Sequence, residues 1–319
     1  MKKALITGIA GQDGSYLAEF LLERGYEVHG TIHGKSDNIW RIENIKEKIK
    51  IYECDVKNEE RIVELVKLIT PDEIYHLASS VETRIIFEEE QNILKTSFDS
   101  IHFFLRAIKL HSSKSRIFLA GSSLMFGDVQ KSPQNENTPF RPNSPYGIAK
   151  TTGFYFVKMY RKDYGIFACT GILYNHESPR RDFKYLPRKI TSTAIKIKYG
   201  TEKELRLGNL DAKRDWGFVG DYVEAMWLML QSDEPDDYVI GTGEIHSVKD
   251  ILDIAFREVG LDWQKYVVIS DEFFRKEGDI PMVADISKIK SKLSWQPKTS
   301  LEELIKMMVE EDMKLSGAK

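Results

Sequence analysis

Tyr146 and Lys150 stand four residues apart in Ser144-Pro145-Tyr146-Gly147-Ile148-Ala149-Lys150, just inside a stretch that reads as a helix. Positions i and i+4 share one face of a helix. An ammonium one turn from a phenol favours the phenolate and is expected to lower the tyrosine pKa from ~10 toward working pH. Such a tyrosine takes the proton from an alcohol while hydride leaves the same carbon, which is general base catalysis. The spacing recurs at Tyr185/Lys189 and Tyr199/Lys203, so the surroundings must single out the working pair.

Those surroundings alternate between strand and helix. Ala4-Leu5-Ile6-Thr7 is a short apolar run, read as a buried parallel strand. It runs into Gly8-Ile9-Ala10-Gly11-Gln12-Asp13-Gly14, then a helix with Tyr16, Leu17, Phe20 and Leu21 at helical spacing, stopped by Gly25, then a strand over 27–32. This is the first unit of a Rossmann fold, in which glycines admit a pyrophosphate to the helix N-terminus. The spacing is G-x-x-G-x-x-G rather than the commoner G-x-G-x-x-G. Strands follow at 49–53, 73–77, 116–120 and 166–173, with helices at 58–70, 93–110 and 146–164. The pattern predicts an α/β, doubly wound parallel sheet whose ligands lie beyond the C-terminal strand ends. Asp55-Val56, Ala78-Ser79, Ser122-Ser123 and Asn175 all fall at such ends. Beyond Leu173 the texture changes: 175–188 is polar and basic, 186–198 helical, 205–216 a loop. Helices are expected at 219–231, 248–259 and 301–313, and strands at 237–240, returning to the sheet, and at 266–269. Residues 1–173, with returning segments near 215–243, are expected to form the dinucleotide-binding domain, and 174–319 mainly a smaller substrate lobe.

The 319 residues are 42% hydrophobic, enough for one or two domains. With 46 Lys+Arg against 49 Asp+Glu, the charge of −3 predicts no nucleic-acid or membrane partner. Cys54 and Cys169 make no disulfide framework and no metal-ligand spacing. No signal region or long apolar span is apparent, so a soluble, cytoplasmic protein is expected.

Together these segments resemble the extended short-chain dehydrogenase/reductases and, among them, the GDP-mannose 4,6-dehydratases. The resemblance rests on 4–18, on Gly171-Ile-Leu-Tyr-Asn-His-Glu-Ser-Pro-Arg-Arg181, on 207–217, and on 221–227 through 235–239. It implies Ser122, Tyr146 and Lys150 as catalytic residues, with Ser122 bonding the sugar O4 and Lys150 also holding the nicotinamide ribose. It implies that Gly8, Ile9, Ala10, Gly11, Gln12, Asp13, Gly14, Asp55, Val56, Leu77, Ala78, Ser79, His176 and Arg181 line the dinucleotide, with the lining running on to Val81. Asn175, Glu177, Lys189, Arg214 and Arg275 would hold a GDP-sugar. It also implies a homo-oligomer, a dimer or tetramer.

Two departures from the family pattern matter. The dehydratases have Thr-Ser-Glu after the fifth strand, where the Glu removes the C5 proton and helps expel the C6 hydroxyl; this chain has Ser122-Ser123-Leu124. Leucine moves no proton, so oxidation at C4 of a mannose-type GDP-sugar, hexose or heptose, is expected without dehydration. The alternatives are a 4,6-dehydratase using another acid such as Glu82, a C4 epimerase or 4-keto reductase, and a non-catalytic NAD-sensing or scaffold protein. After the second strand the family carries an Arg pair suited to a 2′-phosphate. Here stand His33-Gly34, with Lys35 and Arg41 displaced, which favours NAD over NADP.

Overall fold

The chain lays down β1 (Lys3–Thr7), α1 (Gln12–Glu23), β2 (Glu27–Ile32), β3 (Lys50–Glu53), α2 (Glu59–Ile69), β4 (Glu73–His76), α3 (Glu90–Leu94), α4 (Ser100–His111), β5 (Arg116–Ala120), α5 (Pro145–Tyr164) and β6 (Ala168–Leu173). There follow β7 (Asn175–Glu177), α6 (Leu186–Lys198), β8 (Leu205–Leu207), β9 (Lys213–Arg214), β10 (Trp216–Phe218), α7 (Val219–Gln231) and β11 (Tyr238–Ile240). The last elements are β12 (His246–Ser247), α8 (Val248–Glu258), β13 (Val267–Ile269), α9 (Ser287–Leu293) and α10 (Leu301–Leu315). This computed structural model describes residues 1–34, 39–79, 87–273 and 280–317.

Seven strands form one parallel sheet in the order β11-β6-β5-β4-β1-β2-β3. The apolar runs of β1, β4, β5 and β6 are buried almost throughout, as strands covered on both faces must be. On one face α1 and α7 share a core with Leu17, Leu21, Val223 and Met226. On the other, α2, α4 and α5 meet through Leu65, Phe104, Ile108 and Val157. A further cluster joins α6, α8, α10 and β8 through Ile190, Leu205, Ile251, Phe256 and Ile305. Both cysteines are free and buried. No helix among the described residues is long and apolar enough to cross a membrane.

Local chemistry fixes the helix ends that matter. Ser144 Oγ accepts from Gly147 N at the start of α5, Pro145 fills a first-turn position, and Gly165 closes the helix at φ +66°. The structure departs from the expected elements in three places. Residues 205–216 are not all loop but hold β8 and β9, and the polar stretch after Leu173 contains β7. These strands are two or three residues long and pair with distant partners, too short to carry a period. The helix expected over 93–110 is interrupted by a π turn at Lys95–Asp99 between α3 and α4.

Candidate active site

The strand order reverses between β1 and β4, so the loops leaving their C-terminal ends part and open a crevice. The glycine turn fills one lip of it. Gly8 has φ +68°, and a Cβ there would lie 3.1 Å from the Ala78 Cα. A Cβ on Gly14 would lie 2.4 Å from the Gly8 carbonyl, so only glycine lets α1 start this close to the turn. No side chain caps α1 at Gly11, and its positive end faces the turn.

A directed chain of hydrogen bonds braces the floor. Leu77 and Ala78 N–H donate to Thr7 Oγ1 (3.1 and 3.0 Å), whose hydroxyl meets His76 Nδ1 at 2.9 Å. His76 Nε2 meets Ser100 Oγ at 2.8 Å, and Ser100 donates to the Thr96 carbonyl at 2.6 Å. Ser100 has spent its proton, so His76 donates from Nε2 and accepts at Nδ1; the ring is neutral. Burial, with Lys150 nearby, takes its pKa down to about 3, in agreement.

Tyr146 and Lys150 stand on one face of α5, and Ser122 heads the short turn after β5. Lys150 is 2% exposed, donates to the Ala120 carbonyl at 2.8 Å, and has its Nζ 5.5 Å from the centre of the Tyr146 ring. Ser122 caps the short turn Ser123–Met125 and accepts from Leu124 N at 3.2 Å. The expected lowering of the Tyr146 pKa is not what this structure shows. Burial pushes the phenol up to about 12, opposed by a hydrogen bond from Ser79 and by Arg181, and assisted by Asp13 and Tyr185. Lys150 is itself taken down to about 8 by burial. Desolvation disfavours both charged forms, and here it outweighs the ammonium. Of the rival pairs, Tyr185 and Tyr199 flank α6; Tyr185 is near enough to act on the Tyr146 phenol, and the Arg181 guanidinium covers its ring at 3.6 Å.

Asp13 and His176 meet across the crevice, Oδ2 to Nε2 at 2.9 Å, and His176 Nδ1 lies 2.8 Å from the Tyr174 carbonyl. Both partners only accept, so the ring is an imidazolium. Burial works against that charge, but the Asp13 carboxylate outweighs it and the His176 pKa rises. Burial likewise opposes the Asp13 charge, yet His176 holds its pKa down at about 2. Gln12 completes the join, accepting from Ser178 Oγ at 2.8 Å and donating to the His176 carbonyl at 3.2 Å. Beside them Glu177 Oε2 and Arg181 Nε pair at 3.2 Å, in a geometry that leaves both atoms without a hydrogen bond. Burial raises the Glu177 pKa.

Beyond β2 stand three further groups. His33 Nδ1 is 3.8 Å from Asp55 Oδ1, and a Cβ on Gly34 would lie 3.8 Å from Glu53 Oε1. Arg41 is committed to backbone, donating to the Arg180 carbonyl at 2.7 Å and to Ala10 O at 3.3 Å. Glu53 escaped the sequence reading because it ends β3, not β2. Lys189 lies on α6 and Arg214 on β9. Lys189 donates to Arg206 O at 2.7 Å and lies 4.0 Å from the centre of the Phe273 ring. Arg214 is half-buried on β9, opposite His246. Asn175 heads β7 opposite Trp216. Lys35, Val81, Glu82 and Arg275 lie outside the described residues.

A Rossmann-type sheet with a glycine turn at its switch point and a Ser/Tyr/Lys group beyond β5 defines a short-chain dehydrogenase/reductase. The family model for GDP-mannose 4,6 dehydratase matches residues 5–308. The chain is 45% identical to GDP-mannose 4,6 dehydratase 2 of Arabidopsis thaliana, over 99% of this chain and 88% of that protein. It is 40% identical to GDP-mannose 4,6 dehydratase of Homo sapiens, over 98% and 91%. Among solved structures, UDP-glucose 4-epimerase of Thermotoga maritima with UDP-glucose superposes with a TM-score of 0.88 at 25% identity, covering 98% of this chain and 99% of that one. The chain belongs to the GDP-mannose 4,6-dehydratase family.

Proposed function

We propose that the chain oxidises C4 of a GDP-linked mannose-type sugar, hexose or heptose, with NAD, and gives a 4-keto nucleotide sugar. The residues fit the dinucleotide. A side chain at Gly8 or Gly14 would collide with backbone, the α1 N-terminus is open to an anion, and no carboxylate pairs with buried Lys150 among the described residues. Asp55 and Glu53 beside His33-Gly34 suit ribose hydroxyls and repel a 2′-phosphate. NAD, when held there, would supply the hydride acceptor for C4. Tyr146 takes the O4 proton, Ser122 orients that oxygen, and Lys150 holds positive charge beside the phenol. His176, Arg181 and Asp13 order the dinucleotide side of the crevice; Asn175, Glu177, Lys189, Arg214 and Arg275 hold the GDP-sugar. The reading includes a homo-oligomer in the cytoplasm, supported by exposed Ile148, Tyr155 and Met159 along α5 and by two unpaired cysteines.

The observation that carries oxidation without elimination is the place of Leu124. A Cβ on Gly147 would lie 2.5 Å from the Leu124 carbonyl, so position 124 abuts the turn that bears Tyr146, with no titratable side chain on it. The second reading is a 4,6-dehydratase. The relatives' names favour it over the first, and it requires another acid, such as Glu82 or buried Glu177. Mass spectrometry of the product from GDP-mannose and GDP-heptoses decides: loss of two hydrogens is expected, and loss of water establishes the dehydratase.

A further inference from the structure

Register pairing in β4 ends at His76, opposite Thr7 on β1 and Leu119 on β5. The next two N–H groups, of Leu77 and Ala78, turn to one side chain, and both donate to Thr7 Oγ1. Two donors fill the lone pairs of a hydroxyl, so its own proton must point away, and it goes to His76 Nδ1 at 2.9 Å. The far end of the ring is set independently. In a regular α-helix the Thr96 carbonyl would take the Ser100 N–H. The π turn between α3 and α4 sends that N–H back to the Lys95 carbonyl, and the Ser100 hydroxyl bonds Thr96 O at 2.6 Å in its place. Ser100 Oγ is thereby left to accept from His76 Nε2 at 2.8 Å. Both ends demand the same tautomer, and Thr7, His76 and Ser100 are all buried. Such turns re-aim side chains and collect at functional sites.

We propose that His76 and Ser100 are positioning residues for the dinucleotide: through Thr7 they fix Leu77 and Ala78, the lip of the crevice that packs against the glycine turn. This rests on the part of the proposed function that places NAD in the crevice. Gly8 is the contact that makes the lip matter. A Cβ on it would lie 3.1 Å from Ala78 Cα and 3.2 Å from Ala78 N, so the turn and the lip touch backbone to backbone. Any drift of Ala78 from Thr7 therefore reshapes the turn that admits a pyrophosphate. The other tautomer cannot hold the lip. A proton on Nδ1 would be a third donor aimed at Thr7 Oγ1, and Nε2 would need Ser100 to abandon Thr96. A charged ring meets the same obstacle at Nδ1. The groups packed around the imidazole are Thr7 on β1, Ser100 and the Phe104 ring on α4, and Lys150 on α5, whose like charge opposes an imidazolium.

The test reads the ring and the lip apart from turnover. In the full-length protein with histidine labelled with nitrogen-15, the His76 signal is assigned as the one lost in His76→Phe. Long-range nitrogen–proton spectra at pH 7 should show it neutral, with its proton on Nε2. NAD affinity is then measured by calorimetry in wild type, Thr7→Val, His76→Phe, Ser100→Ala and Ser100→Thr, at a temperature where thermal unfolding shows every variant folded. A merely structural role would lower Tm and leave that affinity alone. Thr7→Val and His76→Phe should bind NAD about ten-fold more weakly, the scale of one buried hydrogen bond. Ser100→Ala should lose less, and Ser100→Thr, which keeps the hydroxyl, should stay near wild type. A proton on Nδ1, a charged ring, NAD affinity equal in wild type and Thr7→Val, or a Ser100→Thr chain as weak as Ser100→Ala overturns the proposal. These differences in a protein that binds NAD but turns over no GDP-sugar would refute the proposed function and leave the positioning role standing.

Discussion

Replacing Lys150 with methionine should abolish hydride transfer and stabilise the protein. Lys150 is 2% exposed, and burial takes its pKa from 10.5 to about 8. At ~1.36 kcal/mol per pH unit, keeping the ammonium protonated there costs about 3 kcal/mol at neutral pH. Methionine is close in length, carries no charge, and removes that cost. It also strands the Ala120 carbonyl, which now accepts from Nζ at 2.8 Å; leaving it unmet gives back roughly 1 kcal/mol. The net expectation is about 2 kcal/mol of stabilisation, or roughly 3–6 °C in Tm. The sign with pH is fixed. The folded pKa lies below the unfolded one, so between pH 8 and 10.5 the unfolded chain binds more protons, and wild-type stability gains as pH rises through that window. The assay is thermal unfolding of both proteins at pH 7 and at pH 10, without cofactor. The gap should be widest at pH 7 and should shrink at pH 10. A variant less stable than wild type at pH 7, or a gap indifferent to pH, refutes the reasoning.

Three other outcomes are expected. Tyr146→Phe should keep NAD affinity within a few-fold while hydride transfer falls by ~100- to 10,000-fold; single-turnover absorbance at 340 nm checks it, and wild-type rates would remove Tyr146 as the base. Asp13→Asn should lower the His176 pKa, because the carboxylate that outweighs burial and Arg181 is gone and the Tyr174 carbonyl is left to favour the charge. Ring-nitrogen NMR would show this. The stability that His176 contributes in wild type is complete below its unfolded pKa and is lost as pH rises through the raised folded value, a dependence the variant should lack. NAD should bind more tightly than NADP in calorimetric titration, since Glu53 and Asp55 face the end of β2 and Arg41 is engaged by backbone; the reverse order would place a cationic contact in residues 35–38.

The sequence showed what repeats locally. Ala4–Thr7, the helical spacing from Tyr16 to Leu21, and the Tyr146/Lys150 interval each sit within a few residues, and each took its expected place. What it hid was made by distance. Asp13 and His176 are separated by 163 positions, and only their meeting fixes the charge of either. The neutral state of His76 depends on Ser100 having a carbonyl to serve, which no spacing announces. The π turn keeps an apolar rhythm close enough to 3.6 to read as an unbroken helix. The rise of the Tyr146 pKa is legible only once burial is known, because the four-residue interval speaks for the ammonium and is silent on desolvation.

β11 has a consequence for how the chain is made. Its three residues close the outer edge of β6, pairing Tyr238–Ile240 with Gly171–Leu173. Arg161 grips Asp237 with two bonds at 2.7 and 3.1 Å, and the same carboxylate takes the Thr170 N–H. Synthesis therefore completes six strands of the sheet while the sixth still presents a bare apolar edge, and that edge stays open until residue 240 has left the ribosome. Open edges of this kind recruit other chains. A nascent or truncated product ending near residue 173 is thus primed to aggregate, and the sheet becomes safe in solution only when a strand from the far side of α7 returns to seal it.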